Sequence, residues 1–152
     1  MRKRGITLVE LVVVMAIIAI GAAFVAPNIG AWIPNYRLRG ATRDVTSALR
    51  SAQMRAISTN REYQVSFDAG AGNYILRYNS GTTGTPVWTD DGAAETLPKG
   101  VLISGITFPA NCAHFNANST SSTGSIILTN TKGAKKKITL TTSTGKVKVT
   151  DE

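Results

Sequence analysis

A chain of 152 residues with one cysteine and one histidine holds a single ordinary domain. It lacks the donors for a Cys/His metal cluster or an intramolecular disulfide framework. Its formal charge of +8 is gathered in two clusters near the amino terminus and a lysine-rich final third. No Ser/His/Asp spacing or phosphate-binding loop stands out, so the reading is not an enzyme, with no metal site and no cofactor.

The chain opens on a short basic segment, Met1-Arg2-Lys3-Arg4-Gly5, followed by an apolar run in which Glu10 is the one charge between Ile6 and Tyr36. Residues 11–33 number 23 without a charge. As a helix they reach about 34 Å, enough to span a hydrocarbon layer of about 30 Å. A plain signal anchor would have the same run, and on that reading Glu10 merely sits near the interface. A charge inside hydrocarbon costs roughly 2.5 to 3.5 kcal/mol at mid-bilayer, which raises the question of what Glu10 pairs with. Arg2, Lys3 and Arg4 are balanced by Arg37, Arg39 and Arg43 across the span, so charge alone does not orient it. Gly21, Pro27 and Pro34 make curvature or local unwinding expected between residues 21 and 27.

From Tyr36 onward Leu38, Ala41, Val45, Ala48, Leu49, Ala52 and Ala56 recur at three- and four-residue spacing, an amphipathic helix with one buried face. Arg39, Arg43 and Arg50 lie opposite and are read as solvated. The helix is expected to stop near Ser58-Thr59-Asn60. Residues 63–67 and 74–78 alternate as strands around the turn-forming stretch 68–73 and predict a hairpin. Val87-Trp88, the segment from Thr96 through Ile103, Ile106-Thr107-Phe108 and His114-Phe115 are further strand candidates. Residues 116–124 are nearly all Asn, Ser and Thr and read as a mobile loop. Residues 125–129, 137–141 and 146–149 complete the chain as strands joined at Lys132-Gly133 and Thr144-Gly145. Cys112 is expected as a small buried hydrophobe and His114 as a structural residue. Asp90-Asp91-Gly92 offers two adjacent carboxylates that suit either a calcium contact or an ordinary solvated turn. The fold class is α+β: a long N-terminal helix, half membrane segment and half amphipathic, packed on an antiparallel β-rich head.

Gly5 directly before the apolar run, with Glu10 at the fifth position after it, resembles the class III signal of type IV prepilins and type II secretion pseudopilins. The resemblance divides the chain into a prepilin leader (1–5), a transmembrane and assembly helix (6–33), an amphipathic helix (34–60) and a periplasmic head (61–152). It implies that prepilin peptidase cleaves between Gly5 and Ile6 and methylates the nitrogen of Ile6. It also implies that Glu10 forms an assembly salt bridge with the amine of a neighbouring subunit. The family usually begins its mature chain with phenylalanine; Ile6 departs from that. Residues 39–57, Leu97-Pro98-Lys99-Gly100-Val101 and Gly145-Lys146-Val147-Lys148-Val149 look like the GspH/FimT group of minor pseudopilins. The implied protein is a pilus or pseudopilus subunit in the bacterial inner membrane, single pass, with the head in the periplasm. Its implied partners are other pilin or pseudopilin subunits. A major pilin is the alternative, although the head lacks the paired cysteines of many such subunits.

Between Thr96 and Thr150 seven lysines and no acidic residue occur. If Ile138, Leu140, Val147 and Val149 face the core, strand alternation turns Lys137, Lys146 and Lys148 to solvent, where they would attract phosphate through counterion release. Some FimT-type pilins of DNA-uptake pili bind DNA through a terminal glycine-arginine-x-arginine motif, to which Gly145-Lys146-Val147-Lys148 is similar with lysine substituted. Lysine keeps the charge and loses the bidentate fork. Lysines guarding a sheet edge give the same pattern without DNA.

Overall fold

The computed structural model describes residues 6–81, 85–142 and 145–152, with the side chains of residues 24–29 and 31 outside that set. The leader and Thr144 of the expected final turn therefore lie outside the described residues. Helix α1 runs over Leu8–Thr59, and the chain forms two compact units, Met1–Ile33 and Pro34–Glu152.

In the first unit α1 carries apolar side chains all round, and Leu8, Val9, Met15 and Ile17 are each more than 60% exposed. An apolar circumference is what a helix shows when lipid or a partner, rather than its own chain, surrounds it. No helical stretch among the described residues is long and apolar enough to cross a membrane; the expected span runs on through residues whose side chains are outside the described set.

In the second unit the three- and four-residue spacing is realised. Leu38, Ala41, Val45, Leu49, Ala52 and Ala56 of α1 are buried in the core they share with the strands. Buried Thr42 donates its hydroxyl to the Leu38 carbonyl at 2.7 Å, so no polar atom is stranded at that interface. The helix ends where expected: Asn60 turns left-handed, φ 52°, and the Arg61 amide closes back on the Ala56 carbonyl at 3.2 Å, a Schellman cap.

Among the described residues nine strands follow: β1 Tyr63–Asp68, β2 Asn73–Asn79, β3 Trp88–Asp90, β4 Glu95–Thr96, β5 Val101–Ile106, β6 Cys112–Phe115, β7 Gly124–Asn130, β8 Lys135–Thr141 and β9 Lys146–Asp151. They pair antiparallel into two sheets, one in the order β3-β2-β1-β6 with β4 also on β2, the other β5-β7-β8-β9. The β1–β2 hairpin forms as the sequence predicts, its turn fixed by Asp68, whose Oδ1 accepts the Gly70 and Ala71 amides at 2.8 and 3.0 Å. Buried residues of both sheets and of α1 make one core, with Val65, Phe67, Phe115, Ile126, Leu128, Ile138 and Leu140 at its centre. This is the expected α+β fold.

Two local expectations change. Ile106-Thr107-Phe108 is not a strand of its own: Ile106 closes β5, and Phe108 drops into the core ahead of a one-turn 3-10 segment at Pro109–Asn111. The polar stretch 116–124 is a hydrogen-bonded loop, because its side chains satisfy one another. Asn116 donates to the Thr120 hydroxyl at 2.8 Å, and Ser122 Oγ accepts the His114 amide at 3.0 Å. Ser121 is buried beside Phe115.

Gly124 sits against Phe108. A Cβ there would lie 2.3 Å from the Phe108 ring, and that ring is buried and stacked on Phe67 at 6.0 Å, so relieving the clash requires the core to shift. Gly124→Ala is therefore expected to destabilise the domain by about 1–3 kcal/mol, read as a lowered denaturation midpoint at unchanged slope.

Candidate functional site

The amino-terminal end of α1 is built by local chemistry. Thr7 precedes the first helical residue, and its Oγ1 accepts the Glu10 amide at 3.3 Å. The Thr7 carbonyl accepts the Leu11 amide at 3.2 Å. Thr7-Leu8-Val9-Glu10 is thus a capping-box sequence with threonine at the cap and glutamate three residues on, a signal legible in the residues themselves. The carboxylate stands in the first turn, where the helix dipole favours negative charge. Ile6 and Glu10 are both exposed, and Glu10 meets no cation among the described residues. Gly5 lies outside those residues.

The head lysines take the faces that strand alternation assigns. In the β8–β9 ladder Ile138 stands opposite Val149 and Leu140 opposite Val147, while Lys137, Lys146 and Lys148 stand opposite threonines. Directly opposed residues share a face, so the three lysines occupy the outer face of the sheet. Lys146 and Lys148 are exposed; Lys137 pairs with Glu152 at 3.2 Å. The glycine of Gly145-Lys146-Val147-Lys148 has a conformational reason: its φ is +58°, and a Cβ there would press on the Gln53 side chain.

The exposed arginines of α1 gather at a groove that no local pattern in the sequence marks. Arg39, Arg43 and Arg50 line one groove of about 650 Å³ with Thr42, Thr46, Ser47, Lys136 and Val149. The helical spacing was visible, but Lys136 arrives from β8, and only the fold brings it there. On the other flank of α1, Arg55 pairs with Asp91 at 2.5 Å, and within the sheet Arg77 pairs with Asp90 at 2.7 Å. Both carboxylates weighed for calcium are thus held by arginines. Tyr74 donates to Glu95 at 2.5 Å; burial, then the Glu95 carboxylate, pushes its phenol well above the ordinary range.

Cys112 is buried. His114, half-buried on β6, meets the Trp88 ring edge-on at 5.4 Å. Burial holds its imidazole below the ordinary 6.5, against the pull of Glu62. A histidine kept neutral in this way stabilises the fold fully above its unfolded value, and that contribution is lost as pH falls through the folded one. Stability is therefore expected to fall as pH drops below about 6.5, and His114→Gln is expected to flatten that part of a melting-temperature profile.

Two family models match the chain: a prokaryotic N-terminal methylation motif over residues 1–26 and the type II transport protein GspH over residues 41–145. No curated protein sequence matches it. Among solved structures it is similar to the minor pseudopilin EpsH from the type 2 secretion system of Vibrio cholerae, at 11% identity and TM-score 0.63, covering 76% of this chain and 97% of that one. E. coli GspH has 16% identity and TM-score 0.63 over 77% and 89%. The type IV minor pilin FimU of Pseudomonas aeruginosa has 12% identity and TM-score 0.54 over 74% and 92%. These likenesses show a shared pilin and pseudopilin fold. With the GspH model matching over most of its length, the chain belongs to the type II transport protein GspH family.

Proposed function

We propose that this chain is a minor structural subunit of a type II secretion pseudopilus or a type IV pilus. Prepilin peptidase cuts it after Gly5 and methylates Ile6; residues 6–33 hold it in the inner membrane, with the head in the periplasm. It then joins the filament through Glu10 and the amine of a neighbouring subunit. The observation that carries this reading is the methylation motif over residues 1–26 on the same chain as the GspH domain. The capped start of α1 two residues past the cleavage point supports it, since it leaves Ile6 exposed with Glu10 one turn along.

The pairing has a physical rationale. A methylated amine stays cationic, and bringing it to the carboxylate offsets the cost of holding either in an apolar filament core. The test is co-expression with and without an active prepilin peptidase. The chain shortens by its leader only when the peptidase is active, and Gly5→Leu blocks the shortening. A chain that stays full-length beside an active peptidase is a plain anchor.

A further inference from the structure

Both faces of β9 are basic, and its outer edge is open. On the outer face stand Lys137, Lys146 and Lys148. On the inner side Arg39, Arg43, Arg50 and Lys136 line the groove between α1 and the strand, with Val149, 42% exposed, beside them. Among the described residues Arg39, Arg43 and Arg50 have no ion-pair partner, and Lys136 is paired with Asp151.

The ladder register shows which backbone groups are free. The Glu152 amide bonds to the Lys135 carbonyl. Hydrogen-bonded pairs alternate along an antiparallel ladder, so Lys146, Lys148 and Thr150, opposite Thr141, Thr139 and Lys137, turn their N–H and C=O toward β8. Those of Val147, Val149 and Asp151 turn to the open edge. β9 ends its sheet, and these groups are a template for one more strand.

We propose that β9 is a docking edge for an acidic extended segment of a partner protein, which adds as a strand and sets its alternate carboxylates against the groove cations. The spacing suits this occupant. Arg39 and Arg43 are one turn apart, about 6 Å along the helix, and alternate residues of an extended chain repeat at about 6.6 Å. Apolar strands are rejected, because either face they present meets cations. A nucleic acid fits less well: no aromatic lines the groove to stack a base, and a phosphodiester chain has no amide to give the Val149 carbonyl. The surface lies wholly in the second unit, so the proposal stands whether or not Gly5 is cleaved.

The test uses the full-length chain in neutral detergent and a short, end-blocked, fluorescent peptide alternating glutamate and threonine. The peptide binds, binding weakens with salt, and exchange of the Val149 amide slows in the complex. Exposed Arg43 and Arg50 changed together to glutamine lower affinity about tenfold or more. Val149→Pro, which removes an edge donor but no bond to β8, lowers it about fivefold. Should the proline variant melt early, amide exchange on the unaltered chain gives the same answer. Equal affinity in the arginine variant, equal binding of a lysine–threonine peptide, or an unchanged Val149 exchange rate overturns the proposal. So does duplex DNA that displaces the peptide while remaining indifferent to Val149→Pro, which would mark a general polyanion surface.

Discussion

Glu10→Val is expected to remove the chain from the assembled filament while leaving cleavage after Gly5 intact. In the proposed assembly the amine of Ile6 on one subunit and the carboxylate of Glu10 on the next would offset each other's desolvation in an apolar filament core. Deleting one partner of such a pair costs about 3–5 kcal/mol, on the order of a hundredfold or more in occupancy of the filament site. The capping geometry supplies a competing explanation, because Glu10 also stands three residues after Thr7. Glu10→Gln separates the two. Glutamine serves as well as glutamate at that position of a capping box but carries no charge, so a capping role predicts normal incorporation and a pairing role predicts loss comparable to valine. Thr7→Ala is expected to weaken the first turn by about 1 kcal/mol and to reduce incorporation far less. Incorporation is read as the share of the chain in the sheared filament fraction. Normal incorporation of the glutamine variant ends the pairing role.

Phe115→Ala carries the largest expected loss of stability in the head. Phe115 is 1% exposed, the largest of the fully buried side chains, and it stands opposite Tyr63 where β6 joins β1. Truncation leaves a cavity under a strand that is the edge of its sheet, at a cost of about 3–5 kcal/mol. For a domain of this size that corresponds to a fall in melting temperature of roughly 10–25 °C. Met54, on the same unit but 68% exposed, is the control: Met54→Ala is expected to stay within about 0.5 kcal/mol. Similar losses in both would mean that the assigned core is wrong.

What the residues disclosed in advance was local. The face of α1 from Leu38 to Ala56, the Asn60 stop and the β1–β2 turn at Asp68 each follow from neighbours within a few positions. So does the outward placement of Lys146 and Lys148. Non-local choices were not legible. Nothing in the order of residues says that β1 takes β6 as its second neighbour, or that β5 skips to β7. Phe108 was read as a strand residue because its apolar neighbours alternate, whereas the core drew it in against Phe67. The loop at residues 116–124 was read from composition, which does not register that Asn116 and Thr120 satisfy each other. The arginines at 39, 43 and 50 are exposed, as the helical spacing predicts; the groove they line was not legible, because Lys136 is brought in by the fold from the far end of the sequence. The capping box at Thr7 is legible, because its threonine and Glu10 stand three residues apart at the start of α1.

We propose that this chain is processed and then assembled through its amino-terminal end. The most direct measurement is the intact mass and amino-terminal sequence of the chain recovered from a sheared filament fraction. The expected chain begins at Ile6 and carries one added methyl group on its amine. A chain that retains residues 1–5, or that is found in the membrane and never in the filament fraction, contradicts it.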